Sequence, residues 1–169
     1  GILNATIDGL AGDDSIQGLV TLKAISDVSS ITALGIESSD ITDSGLDDDS
    51  FIATGTAEGS KRATAYSVYA GSINGGVGDD AFSLSGIAKS ANNMRGVGVG
   101  FATIDGGSFN DRISILGSAI GTDISHTSAP FPLVLSGVAV TTLFGSVQKA
   151  DPGLTFKIHL FLVVMATIK

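Results

Sequence analysis

The chain has 169 residues, 43% of them hydrophobic and only 15% charged, so it can bury a core and is not a disordered tract. Its formal charge of −8 and pI near 4.4 argue against a binder that neutralises nucleic-acid phosphates. The absence of Cys excludes disulfides, thiolate metal sites and Cys nucleophiles, while 23 Gly and no Trp favour turns and strands over helices.

Gly1-Ile2-Leu3 opens directly on a strand-like run without a secretory pattern, which reads as a fragment or a processed product. The first turn signal is Ile7-Asp8-Gly9-Leu10-Ala11-Gly12-Asp13-Asp14-Ser15-Ile16. The second, Ile41 to Phe51, reads ITDSGLDDDSF and carries one extra residue. The third is Ile73-Asn74-Gly75-Gly76-Val77-Gly78-Asp79-Asp80-Ala81-Phe82. The fourth is Ile104-Asp105-Gly106-Gly107-Ser108-Phe109-Asn110-Asp111-Arg112-Ile113. The leading Ile recurs at spacings of 34, 32 and 31 residues, and a further step of 34 lands on Val138, a fifth start that lacks the Gly-Asp turn.

The segments before each turn align as well. Val97, Val99 and Phe101 alternate with strand period and match Tyr66, Val68 and Ala70, then Leu34, Ile36 and Ser38, one and two repeats earlier. Phe131, Leu133 and Leu135 fill the same columns one repeat later, and Ile2 falls in the middle column of the first. After the turns, Ile16, Phe51, Phe82 and Ile113 open a second strand, with Leu84 and Ile115 two residues on and a Gly column at Gly55, Gly86 and Gly117. A second polar turn follows, as in Glu58-Gly59-Ser60-Lys61-Arg62 and Lys89-Ser90-Ala91-Asn92-Asn93. The glycines of Gly96-Val97-Gly98-Val99-Gly100 are expected on an outward strand face, because no helix follows to make a phosphate loop.

These columns predict an all-β parallel β-solenoid over residues 1–145, with turns near 8–14, 42–49, 74–80 and 105–111. Each repeat of about 32 residues reads as two strands and two turns, and stacking buries the face that one unit cannot bury alone. The architectural alternative is a β-sandwich, which does not require column identity between repeats. Residues 146–169 diverge after the turn Lys149-Ala150-Asp151-Pro152-Gly153. The apolar run from Phe156 onward is expected to cap the stack or to make a homo-oligomer contact, being short for a membrane span.

Gly75-Gly76-Val77-Gly78-Asp79-Asp80-Ala81-Phe82-Ser83 fits the nonapeptide GGxGxDxUx at every fixed position. The other turns keep fewer glycines, yet the sixth-position Asp recurs as Asp14, Asp49, Asp80 and Asp111, and the neighbouring position holds Asp13, Asp48, Asp79 and Asn110. The sequence therefore resembles RTX-like and cyanobacterial or marine bacterial β-strand-repeat proteins. That resemblance implies an extracellular or surface-associated chain. It also implies Ca2+ at the turns, with Asp14, Asp49, Asp80, Asp111, Asp13, Asp48, Asp79, Gly75 and Gly78 as the site residues. One turn per 32 residues departs from the nine-residue spacing of RTX arrays. Shared sites require that each repeat form one wide coil; two coils per repeat would hold the turns ~10 Å apart.

Stacked aspartates repel by roughly 1 kcal/mol per pair in water and by more when dry, so the column needs solvent, protons or a cation. Two roles fit it: Asx-turn capping by hydrated carboxylates, or calcium ligation by hard oxygens. His126, in the polar stretch Asp123 to Ser128, has no nucleophile elbow beside it. The leading functional expectation is a non-enzymatic structural or adhesive repeat domain, partnered by a cell surface or polysaccharide matrix. The alternative is a carbohydrate-active β-helix, a lyase or hydrolase working through clustered carboxylates and basic groups.

Overall fold

The protein was examined as a computed structural model that describes residues 1–23, 30–59, 61–90, 93–121, 133–136, 139–151 and 154–165. It is a parallel β-solenoid. Coil 1 holds β1 (Ile2–Leu3), β2 (Thr6–Asp8) and β3 (Ser15–Lys23). Coil 2 holds β4 (Ile31–Glu37), β5 (Asp40–Thr42) and β6 (Ser50–Gly59). Coil 3 holds β7 (Arg62–Tyr69), β8 (Ser72–Asn74) and β9 (Ala81–Ser90). Coil 4 holds β10 (Asn93–Gly100), β11 (Ala102–Asp105) and β12 (Asp111–Gly121). Beyond it come β13 (Leu133–Ser136), β14 (Ala139–Asp151) and β15 (Leu154–Met165).

Equivalent strands pair in parallel into three sheets, ordered β1-β4-β7-β10, β13-β11-β8-β5-β2 and β15-β14-β12-β9-β6-β3. Each repeat is thus one wide coil, and the turns stack on their neighbours. The Ile column is in register as Ile7↔Ile41, Ile41↔Ile73 and Ile104↔Ile73. The second-strand column is equally so, as Ile16↔Phe51, Phe51↔Phe82 and Ile113↔Phe82. In-register stacking brings the Phe51 and Phe82 rings to 4.8 Å between centroids at 14°.

A coil carries three strands where the sequence predicts two. The segment before each turn breaks at a corner whose residue has positive φ: Asn4 (48°), Ser38 (47°), Ala70 (53°) and Phe101 (52°). A left-handed residue ends the strand and redirects the chain into the short middle sheet. Phe101, at this corner, is exposed. Leu133 and Leu135 pair with Ala102 and Ile104, not with Val99 and Phe101 as the alignment predicts, because the last step is 31 residues and not 34. Phe131, Val138 and the His126 stretch lie outside the described residues.

The core has two parts. Ile36, Ile41, Phe51, Val68, Ile73, Phe82, Leu84, Val99, Ile104, Ile113 and Ile115 fill the end enclosed by all three sheets. Small residues, Ala33, Ala57, Ala63, Ala65, Ala88 and Ala119, with Met94, fill the other end. Ala33 and Ile36 are three apart yet both lie inward, which a strand of period two does not allow. The ladder skips Gly35 opposite Ser67, and Ser67 opposite Gly98, so each coil has a kink there that switches the inward phase.

At the same level the first and third sheets nearly touch. A Cβ on Gly86 would collide with the Val97 carbonyl oxygen, one on Gly55 with that of Tyr66, and one on Gly96 with that of Ser118. Gly96 and Gly98 therefore face the opposing sheet, contrary to the outward placement expected from alternation. Gly100 lies under the Tyr66 ring. The seam admits no side chain and divides the two cores.

The stack ends differently at its two sides. Ile2, Ile7 and Ile16 of coil 1 are only partly buried, so they gain less than the roughly 1.5–3 kcal/mol of a fully buried aliphatic side chain. At the other end β15 turns back and pairs antiparallel with β14, from Asp151↔Leu154 to Val140↔Met165.

Gly86→Ala should lower the unfolding free energy by about 2–3 kcal/mol, because the seam backbone must move apart. Ser83→Ala, on the exposed face of the same strand, should stay within about 0.5 kcal/mol. Urea midpoints of the two variants check this, and equal midpoints would remove the seam as a packing constraint.

Candidate metal centre

The regular coil-to-coil ladder breaks up at the Gly-Asp turns. Some backbone bonds persist, as from Gly78 N–H to the Ser108 carbonyl and from Ser108 N–H to the Gly76 carbonyl, and side chains take the amides between them. Asp14 N–H donates to Asp49 Oδ1 at 2.8 Å, Asp49 N–H to Asp80 Oδ1 at 2.8 Å, and Asp80 N–H to Asp111 Oδ1 at 3.1 Å. Each carboxylate thus takes the amide of the preceding coil. The neighbouring column runs the opposite way: Asp79 N–H donates to Asp48 Oδ1 at 2.8 Å, and Asn110 N–H to Asp79 Oδ1 at 3.0 Å. Two antiparallel lines of charge-assisted hydrogen bonds clamp the turns together.

The two columns differ in setting. Asp13, Asp48 and Asp79 are exposed, whereas Asp49 and Asp111 are 3% exposed and Asp80 is 1% exposed. The inner column does not cap its own turns as Asx residues. That role belongs to Asp8, Asn74 and Asp105, whose Oδ1 accepts the N–H of Leu10, Gly76 and Gly107 two residues on. In coil 2 the cap slides by one residue, and Asp43 Oδ2 accepts Gly45 N–H at 2.6 Å.

Glycines make room for the inner column. A Cβ on Gly75 would strike Asp80 Oδ2, and one on Gly106 would strike Asp111 Oδ2. Gly78 lies against the Asp47 carbonyl oxygen, again leaving no space for a Cβ. Close approach, not left-handed φ, requires glycine at 75 and 78; positive φ belongs to Gly12 (112°), Gly76 (89°) and Gly107 (90°).

Coil 2 breaks this rule. Asp43 stands in the column that Gly9, Gly75 and Gly106 occupy in the other coils, and the extra residue of this turn accommodates its side chain. Asp43 is 3% exposed. Asp14, Asp43 and Asp49 each offer a carboxylate oxygen, all within 4.8 Å of one another. The inner oxygens, Asp14 Oδ2, Asp43 Oδ1, Asp49 Oδ2, Asp80 Oδ2 and Asp111 Oδ2, are buried without a hydrogen-bond partner. Of the residues singled out by the motif, only Asp14 and Asp49 join this cluster. Asp43 does not belong to the motif; its signal was a carboxylate aligned with three glycines.

Burial raises the carboxyl of Asp80 to about 6, opposed by the Asp49 N–H it accepts and reinforced by the charges of Asp111, Asp49 and Asp43. Asp49 is also raised, first by burial and then by the charge of Asp43 beside it, opposed by the Asp14 N–H it accepts. Asp111 is raised by burial, with Asp79 and Asp105 adding repulsion. The three carboxylates of Asp14, Asp43 and Asp49 are grouped so that they could hold a metal ion. Three hard oxygen donors suit an ion such as Ca2+. No family model, curated protein or solved structure matches the chain.

A carboxyl raised on folding stabilises the fold below its unfolded value of 3.8, and that contribution disappears as pH rises through about 6. In chelator, the unfolding midpoint should therefore fall between pH 5 and 7.5, with Asp80 alone accounting for about 1.4 kcal/mol over that range. Asp80→Asn keeps an oxygen for Asp49 N–H and should flatten the profile. A thermal-melt series across this range checks both, and a wild-type midpoint that rises with pH refutes it.

Proposed function

We propose that this chain is a non-enzymatic structural or adhesive module of a secreted or surface-associated protein, with its coil stack rigidified by calcium. The observation that carries the reading is the inner aspartate column, whose buried oxygens lack hydrogen-bond donors. Orphaned buried acceptors cost about 1–3 kcal/mol each, and more when charged. A divalent ion would supply what they lack.

The non-enzymatic reading rests on the use made of the carboxylates. Asp49, Asp80 and Asp111 are each committed to the amide of the preceding coil. The extracellular assignment follows from the resemblance to RTX-like repeats; extracellular calcium modules work at roughly 10⁻⁴–10⁻³ M. Partners of this module are a cell surface or polysaccharide matrix, and a second copy through the segment that contains β15. The formal charge of −8 argues against nucleic acid.

Millimolar calcium at pH 7.5 should raise the melting temperature by roughly 3–6 °C over chelator, as expected for a ligand about tenfold above its Kd. Paired thermal scans test this. An unchanged midpoint would sink the calcium reading.

A further inference from the structure

The turn with the complete nonapeptide is the obvious place for the ion. The geometry points elsewhere: we infer that the chain binds one Ca2+-class ion between coils 1 and 2, on Asp14, Asp43 and Asp49. The turn Gly75–Ser83 holds no ion of its own. This rests on the calcium reading above and specifies where it applies.

The argument begins with the number of carboxylates at each level. In coils 3 and 4 each inner oxygen faces a glycine of its own turn: Asp80 Oδ2 lies against Gly75 and Asp111 Oδ2 against Gly106. One carboxylate oxygen over a glycine is a poor cage for an ion that takes six to eight oxygens. Between coils 1 and 2 three carboxylates converge. The place where a Cβ on Gly9 would sit is 2.7 Å from Asp43 Oδ1 and 2.8 Å from Asp14 Oδ2. The glycine leaves open the space into which both oxygens point.

The second observation concerns burial. Asp43 and Asp49 are each 97% buried, and the oxygens they aim into the cluster, Oδ1 and Oδ2, have no hydrogen-bond partner. No basic side chain among the described residues forms an ion pair with the three carboxylates. Coulomb repulsion among three such groups exceeds that between two exposed rungs, so a cation gains most here.

Distance selects the ion. Oxygens up to 4.8 Å apart can share an ion with metal–oxygen distances of about 2.4 Å, the range of Ca2+. Mg2+, at about 2.0–2.1 Å with a strict octahedron, would require the turns to contract. Sequence drift is consistent with this division. The turn that departs furthest from the glycine pattern gained an acid where the others kept Gly.

The test uses the whole chain, calcium chloride and calorimetry at pH 7.5, with circular dichroism to verify folding. Wild type should bind about one ion per chain, with Mg2+ much weaker. Asp43→Asn retains an oxygen for the Gly45 amide, so the turn cap survives, but affinity should fall by about tenfold or more and the calcium-induced thermal shift should vanish. Asp111→Asn, two coils away from Asp49, should leave stoichiometry and affinity unchanged. Binding that survives Asp43→Asn, is lost in Asp111→Asn, or involves several ions per chain would overturn this location while keeping the calcium reading. No binding by wild type would overturn both.

Discussion

A parallel coil stack satisfies its backbone through neighbours, so every interruption of the strand ladder leaves amides that another group must accept. In this chain the interruption comes at the Gly-Asp turn. The carboxylate that crosses from one coil to the amide of the next is the interaction on which the turn edge depends. It ties the turns of successive coils together, beside the backbone ladders that hold the middle and long sheets in register. It also forces carboxylates of like charge into a line, with one oxygen of each spent on an amide and the other turned inward.

That second oxygen gives the edge its chemistry. The outer column can leave its charge in water. The inner column cannot, and its raised pKa values express the cost of keeping it ionised. Protons and metal ions are alternative answers to the same deficit. Along Asp80 and Asp111, where one carboxylate meets a glycine, a proton is sufficient. At Asp14, Asp43 and Asp49 three carboxylates converge, and one ion can be shared among them.

Much of the architecture was legible because stacking writes identity into columns. Ile7, Ile41, Ile73 and Ile104 must each fit above the last, and so must Phe51 and Phe82; such positions align by eye. The corner and the kink were not legible. Positive φ at Asn4, Ser38, Ala70 and Phe101 leaves no common side chain to mark it. The phase switch at Gly35, Ser67 and Gly98 hides inside a run that still alternates on paper. The glycines at 96 and 98 were misplaced for the same reason, since a seam between sheets depends on distance across the coil, which local periodicity does not encode.

The candidate site was half legible. Asp14 and Asp49 stood out as conserved rungs of an internal repeat, but matching to a motif drew attention to the turn that fits best, near Asp80. A motif records what most turns share. A site that needs extra ligands is built by the turn that differs, and here the difference is both a substitution and an insertion. Asp43 replaces the glycine that would otherwise close over Asp49, and the added residue lets the cap move from position 42 to position 43. One side chain then serves the turn with Oδ2 and the cluster with Oδ1. An irregular repeat is usually taken for decay. In a stack held by aspartates, an irregularity that adds a buried acid and preserves the cap concentrates the column's charge problem at one level, where one ion can answer it.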